Sequence, residues 1–260
     1  MDLININYTQ INQHIYINRI DHCWYYITSV TNFSPERYSL LDSLSSHSFN
    51  IYMITKEPEA IIRYALPDNP ISWKTFFETI QVTDNIIVIL LKQIIETIKL
   101  LHSKNVYHGN ITEETIFIDP NTYNVTLVDC LFPQYEIETD PILTDIQNIK
   151  TIPESNEFFE KDLSSIPLLL LNYFGIESIQ DYLEQTHSSI SQTFPQVDQF
   201  LHVYLTSPTP LSTVSNLLQS VSQNIKSLIE KNPLLFLRVY GEFKYNEHHE
   251  DDEDSLLGGA

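Results

Sequence analysis

The sequence predicts an α+β protein in two lobes, and three observations carry that prediction. Strand-like runs fill the first third of the chain, helical patterns fill most of the remainder, and one small strand pair returns directly after the longest helix. Strands and helices segregated in this way pack as separate layers rather than alternating around a parallel sheet. The join falls near residues 65–70. A chain of 260 residues holds one large domain or two lobes that share an interface.

The elements follow in order. Residues 14–33, HIYINRIDHCWYYITSVTNF, are rich in Ile, Tyr, Val and Thr in two short runs, which predicts paired strands with a turn at Arg19–His22. In SPERYSLLDSLSS, Ser34 suits a cap, Pro35 the first helical position and Glu36 the positive helix end. FNIYMIT and AIIRYAL predict two more strands around Lys56–Glu59, where Pro58 fits a turn. PDNP at 67–70 breaks the pattern ahead of a short amphipathic helix containing Trp73, Phe76, Phe77 and Ile80. A long helix over 84–103 starts after Thr83 or Asp84 and places Ile87, Leu91, Ile94, Ile98 and Leu101 on one face. Asn105 follows, a residue suited to a left-handed C-terminal cap. An exposed polar turn and the β-type run IFID come next, then the strand-like NVTLVDC. KDLSSIPLLLLNYFG predicts a deeply buried helix ending at Gly175, and helical patterns resume at 176–186, 194–205 and 211–230.

Composition narrows the classes. Hydrophobic residues make up 42%, with 15 Tyr and 13 Phe, enough for a packed core. The formal net charge of −20 repels nucleic acid and anionic lipid, and makes a protein partner with a basic surface the simpler expectation. Cys23 and Cys130 are too few and too isolated for a disulfide framework or a Cys-rich zinc site. The segment IIVILLKQIIETIKLL is interrupted by Lys92, Gln93, Glu96 and Lys99, which fits a core helix rather than a membrane span, so no membrane insertion is expected. The opening MDLININYTQINQ lacks a basic region and a continuous apolar region, so the expected location is intracellular, in the cytoplasm. The segment EHHEDDEDSLLGGA is an acidic solvated tail, in which His248 and His249 beside carboxylates are better read as flexible-tail residues than as metal ligands.

The stretch LLHSKNVYHGNITEETIFID…NVTLVDCLF resembles the catalytic and metal-binding loops of the protein kinase-like superfamily, H-R-D-L-x-x-x-N followed by D-F-G. His108 falls on the family's His, Gly109 on its Arg, Asn110 on its catalytic Asp and Thr115 on its metal-binding Asn. Asp129 falls on the metal-binding Asp, with Cys130 and Leu131 in place of Phe and Gly. Ile152-Pro153-Glu154 is similar to the A-P-E that closes the activation segment, and Asp162 to the Asp that begins the buried central helix and holds backbone amides of the catalytic loop. SPTPLSTVSNLL is similar to the family's R-P-T segment without its Arg, so Glu154 lacks its usual ion-pair partner. Pro167 sits awkwardly inside the helix because it removes a backbone donor. The resemblance implies a bilobal kinase-like fold: residues 1–66 as a β-rich N-lobe, 67–232 as a mainly helical C-lobe, and 233–260 as an extension with the acidic tail.

The departures from the family are chemical. Phosphoryl transfer relies on a Gly-rich loop, a strand Lys, metal ligands and a hydroxyl-orienting Asp. The first glycine is Gly109 and the first lysine Lys56, so no Gly-rich phosphate loop precedes the catalytic-loop equivalent. The equivalent of the family's third strand is WYYITSV, which leaves room afterwards for the helix, two strands and hinge helix that normally intervene, and it holds no cation. Asn110 is no carboxylate base, a loss of about 10² to 10⁴ in rate by itself. Thr115 offers one hydroxyl, and Asp129 is a lone remnant that caps a turn or coordinates an ion weakly. His108 is better read as a structural histidine than as a base, and Glu113 and Glu114 as solvent-facing.

The sequence therefore points to a degenerate member, a pseudokinase: no enzyme, no catalytic set, no metal site and no cofactor, with weak nucleotide binding without magnesium left open. A scaffold, adaptor or allosteric partner is the expected function. The alternatives are a structural subunit of a large assembly, or an atypical ATP-binding protein kinase that takes a phosphate anchor from Arg63 or Lys56.

Overall fold

The computed structural model describes residues 7–30, 33, 35–44, 50–55, 60–104, 106–130, 157–177, 179–185, 190–207, 213–214 and 216–219. Strands β1 (Tyr8–Gln10), β2 (Ile15–Asn18), β3 (Trp24–Val30), β4 (Ile51–Thr55) and β5 (Ala60–Ala65) form a five-stranded sheet in the order β1-β2-β3-β5-β4, antiparallel throughout. Helix α1 (Pro35–Ser43) lies between β3 and β4 in sequence and packs on β4. The register sorts the side chains by face, because paired residues share a side and neighbours along a strand alternate. Ile15, Tyr26, Tyr64 and Ile51 form one row across four strands and belong to the main core. The neighbouring rows, Tyr16–Tyr25–Ala65 and Ile27–Arg63–Tyr52, lie on the opposite face.

A second sheet has three strands, β6 (Ile71–Ser72), β7 (Ile116–Ile118) and β8 (Val125–Leu127), where the sequence predicts only a pair. Strand β6 is too short for a periodic signal. Its Ser72 also caps α2 (Trp73–Thr79), accepting the Thr75 N–H at 3.3 Å. Ile80, expected within α2, is instead the extended residue after it, with φ −112° and its N–H still bonded to the Phe76 carbonyl.

Helix α3 (Asp84–Ser103) has the expected bounds, and Thr83 caps it by accepting the Ile86 N–H. Ile87, Leu91, Ile94, Ile98 and Leu101 are all buried. Gln93, one of the polar interruptions of this helix, faces the 123–125 turn. Its Nε2 donates to the Tyr123 carbonyl at 2.8 Å and its Oε1 accepts the Val125 N–H at 3.0 Å. The Val106 N–H closes the helix end on the Leu101 carbonyl at 3.0 Å; Asn105 itself lies outside the described residues.

Helix α4 (Glu157–Phe174) starts before Asp162, which therefore sits in its second turn rather than opening it. Phe159, in the added turn, packs against the rings of His102 and Tyr107. The helix stops at Gly175, whose φ of +67° suits the left-handed residue that ends a helix. Pro167 removes the N–H that would bond the Leu163 carbonyl, and the buried Tyr204 hydroxyl donates to that carbonyl instead, at 2.7 Å. Tyr204 belongs to α7 (Pro195–Thr206), which follows α5 (Ile179–Gln185) and α6 (Ile190–Thr193). The start of α7 has no side-chain cap of its own. Asp84 reaches across from α3 to accept the Gln196 and Val197 N–H groups at 2.9 and 3.0 Å. Of the helix expected over 211–230, residues 213–214 and 216–219 are helical and the rest lies outside the described residues.

Candidate functional site

The 106–115 loop runs from α3 into β7, and its first fixed point is Gly109. A φ of +84° there is a conformation glycine adopts without a Cβ penalty. It lets two successive amides face one carboxylate. Asp162 Oδ2 accepts the His108 N–H and Oδ1 the Gly109 N–H, both at 2.7 Å. His102 Nε2 lies 2.9 Å from the same Oδ2, and against a carboxylate that nitrogen must carry a proton. Asp162 is 1% exposed, so three donors converge on a buried acceptor. Glu154 lies outside the described residues.

His108 is fully buried, and its Nδ1 accepts the Asn110 N–H at 3.2 Å. That bond puts the ring proton on Nε2, which has the Val128 backbone in its vicinity without a well-aligned bond. Burial pushes the imidazole down to about 4; the Asp162 carboxylate opposes this and the Arg37 guanidinium adds to it. A neutral ring, inward and bonded to its own loop, is a structural histidine.

Asn110 and Asp129 face one another. Asn110 Nδ2 donates to Asp129 Oδ2 at 2.9 Å, which ties the two side chains together. Asp129 has a φ of +62°, uncommon for a residue with a Cβ and tolerated best by Asp and Asn. Burial pushes its carboxyl up, while the Asn110 bond and the nearby His14 hold it down. Thr115 is also committed: its Oγ1 accepts the Thr112 N–H at 3.0 Å and donates to the Asn110 carbonyl at 2.5 Å. That hydroxyl closes the turn. The Asn110 bond engages one carboxylate oxygen of Asp129, and the Thr115 hydroxyl is committed to its turn.

Above the loop, aromatic rings join the two sheets. Tyr26 of β3 meets Phe117 of β7 with centroids 6.0 Å apart, and His14 stacks on Tyr26 at 5.2 Å and 23°. Burial pushes the Tyr26 hydroxyl pKa up, and Asp129 and Glu114 add to the effect. On the other side, Arg37 ties α1 to the loop. Its Nη2 donates to the Tyr107 carbonyl at 2.8 Å and to the Cys130 carbonyl at 3.2 Å, and its guanidinium lies 4.2 Å from the Tyr107 centroid. Burial pushes the Cys130 thiol well above its ordinary range, so it is an inert core residue.

The structure corrects two placements. Arg63, a candidate phosphate anchor, points to the face of the five-stranded sheet opposite Tyr26, away from Asp129; Lys56 lies outside the described residues. Glu113, expected to face solvent, is half-buried and lines an open groove of about 460 Å³ with Asn110, Glu114, Lys161 and Leu168. Burial pushes its carboxyl up, with Lys74 opposing and Glu114 and Glu78 adding. The tail with His248 and His249 is outside the described residues.

Sequence reasoning missed His14, Tyr26, Arg37, His102 and Phe117. Only Arg37 carried a signal, as one of two Lys or Arg residues before Lys56. Among the described residues no group of three or more His, Cys, Asp or Glu side chains is placed to hold a metal. Nor is any described helix long and apolar enough to cross a membrane. No family model matches this chain, and no curated protein matches it.

Proposed function

We propose that this chain is a bilobal protein kinase-like domain of the pseudokinase type, acting through protein contacts as a scaffold, adaptor or allosteric partner and not as a phosphotransferase. The observation that carries the proposal is the Asn110–Asp129 bond, set in a loop pinned by Asp162. A kinase-like loop keeps the geometry of its support, while an amide stands where the base would be and bonds the carboxylate at the metal-ligand position.

Element order supports the same view. After β3 come one helix, the strands β4 and β5, the two-residue strand β6 and a short helix before the long one; β6 apart, this is the succession that the resemblance requires. The Tyr26–Phe117 contact favours a cleft closed by the chain's own side chains, and Arg63 on the far face argues against an anchor recruited from outside the familiar motifs.

The experiment is a phosphotransfer assay on purified, contaminant-free protein with general kinase substrates, magnesium and ATP. Neither the wild type nor Asn110→Asp should form phosphorylated product, since the Gly-rich loop and strand lysine remain missing in both. Product above the buffer control from either protein would overturn the proposal.

A further inference from the structure

The face of the five-stranded sheet opposite the main core is rich in aromatic and apolar side chains, with exposed Gln10 and Ser29 among them, where the second face of an antiparallel sheet is usually polar. Tyr8, Tyr25 and Ile27 form a small separate cluster there, with Tyr16, Ile54, Ile61 and Ala65 packed around it. Tyr52, paired with Arg63 across β4 and β5, is 39% exposed. Arg63 stands in the middle of this face. One Nη1 N–H goes to the Tyr8 hydroxyl, and the guanidinium carbon lies 4.5 Å from the Tyr25 centroid and 5.0 Å from that of Tyr52. Among the described residues the ion pairs are Lys92–Glu96 and His102–Asp162, and Arg63 belongs to neither. No carboxylate among the described residues pairs with the half-buried Arg63 guanidinium, which meets the Tyr8 hydroxyl and two rings. Its remaining N–H donors are arranged for a bidentate carboxylate.

We propose that this face docks a protein segment that presents an Asp or Glu carboxylate between apolar side chains. The carboxylate takes the Arg63 guanidinium and its apolar neighbours pack on Tyr16, Tyr52 and Ile54. Tyrosine around arginine is the composition in which interface energy concentrates. The carboxylate is complementary to Arg63, and a single acid in an otherwise uncharged segment of a separate partner meets less repulsion than a second copy of net charge −20. The site rests on the protein-binding half of the function proposed above and is independent of catalytic silence.

The test is selection of a displayed library of random peptides on the full-length protein, followed by titration of one synthetic binder. Selected peptides should share an acidic residue flanked by Leu, Ile, Val or Phe. Arg63→Met should weaken the binder at least about tenfold, the scale of one charge-assisted hydrogen bond. Tyr52→Ala, a change at an exposed side chain, should weaken it as well, with the thermal midpoint unchanged. Amidation of the peptide's acid should reproduce the Arg63→Met loss. Absence of acidic enrichment, or undiminished binding to both variants, would overturn the site while leaving protein binding elsewhere intact. Self-association abolished by Tyr52→Ala would make the occupant a second copy. A tenfold gain in peptide affinity on deleting residues 247–260 would make it the chain's own tail. Either result contradicts the proposal.

Discussion

Asp162 carries the loop through three donors delivered to one buried carboxylate, and each donor would be costly to leave unpaired. Asp162→Ala strands the two buried amides and should cost about 2–6 kcal/mol, at about 1–3 per orphaned donor, with the partly exposed His102 ring adding less. Asp162→Asn keeps one acceptor and should cost less. Chemical denaturation of the three proteins checks the order. His108 makes stability depend on pH with a definite sign. Its folded value of about 4 lies below the ordinary 6.5, so the unfolded chain takes up the proton first. The stability is whole above pH 6.5 and declines as pH falls from there towards about 4, by about 3 kcal/mol in all. Asp84 and Asp129, whose carboxyls are pushed up by burial, act in the opposite direction at the acid end. Thermal unfolding at neutral and mildly acidic pH should therefore show a steeper acid loss for the wild type than for His108→Asn, which keeps an acceptor and does not titrate.

Among the elements, α4 and α7 depend on one another through Pro167 and Tyr204. Tyr204→Phe leaves the Leu163 carbonyl without its donor in a buried place and should destabilise the fold by about 1–2 kcal/mol. In a Pro167→Ala background the helix supplies its own N–H to Leu163, so Tyr204→Phe should cost measurably less. Equal costs in the two backgrounds would mean that the hydroxyl matters only through packing. A double-mutant cycle by denaturant titration reads the difference.

How far the sequence reached is also clearest at this scale. The bounds of α3, the strand pairs flanking Arg19–His22 and Lys56–Glu59, and the stop at Gly175 were readable because periodicity, caps and glycine act within a few residues. Strand β6 was not readable, since two residues have no period. Nor was the turn of α4 before Asp162, which packs Phe159 on His102 and Tyr107. At the site, the loop residues His108, Gly109, Asn110, Thr115 and Asp129 were singled out by the resemblance of their motif to a kinase-like loop. The partners that decide their chemistry could not be found that way: alternation puts Tyr26 on the inner face but does not say that Phe117 meets it, and nothing local brings Arg37 to Tyr107 and Cys130.

At the scale of the molecule, charge and closure work together. A chain of net charge −20 approaches basic surfaces quickly, while persistence comes from apolar contact. Deleting residues 247–260 should slow association with a basic partner and reduce its salt sensitivity without changing the thermal midpoint; stopped-flow mixing at low and high salt measures this. The central claim, however, concerns the cleft. Asn110 holds Asp129, Thr115 closes its own turn, and Tyr26 meets Phe117; we propose that a cleft so built takes neither magnesium nor a flat base. The most direct measurement is the thermal midpoint of the purified protein with ATP and magnesium, alongside Asp129→Ala. The account predicts no shift for either protein. A robust, metal-dependent shift in the wild type that Asp129→Ala abolishes would contradict it.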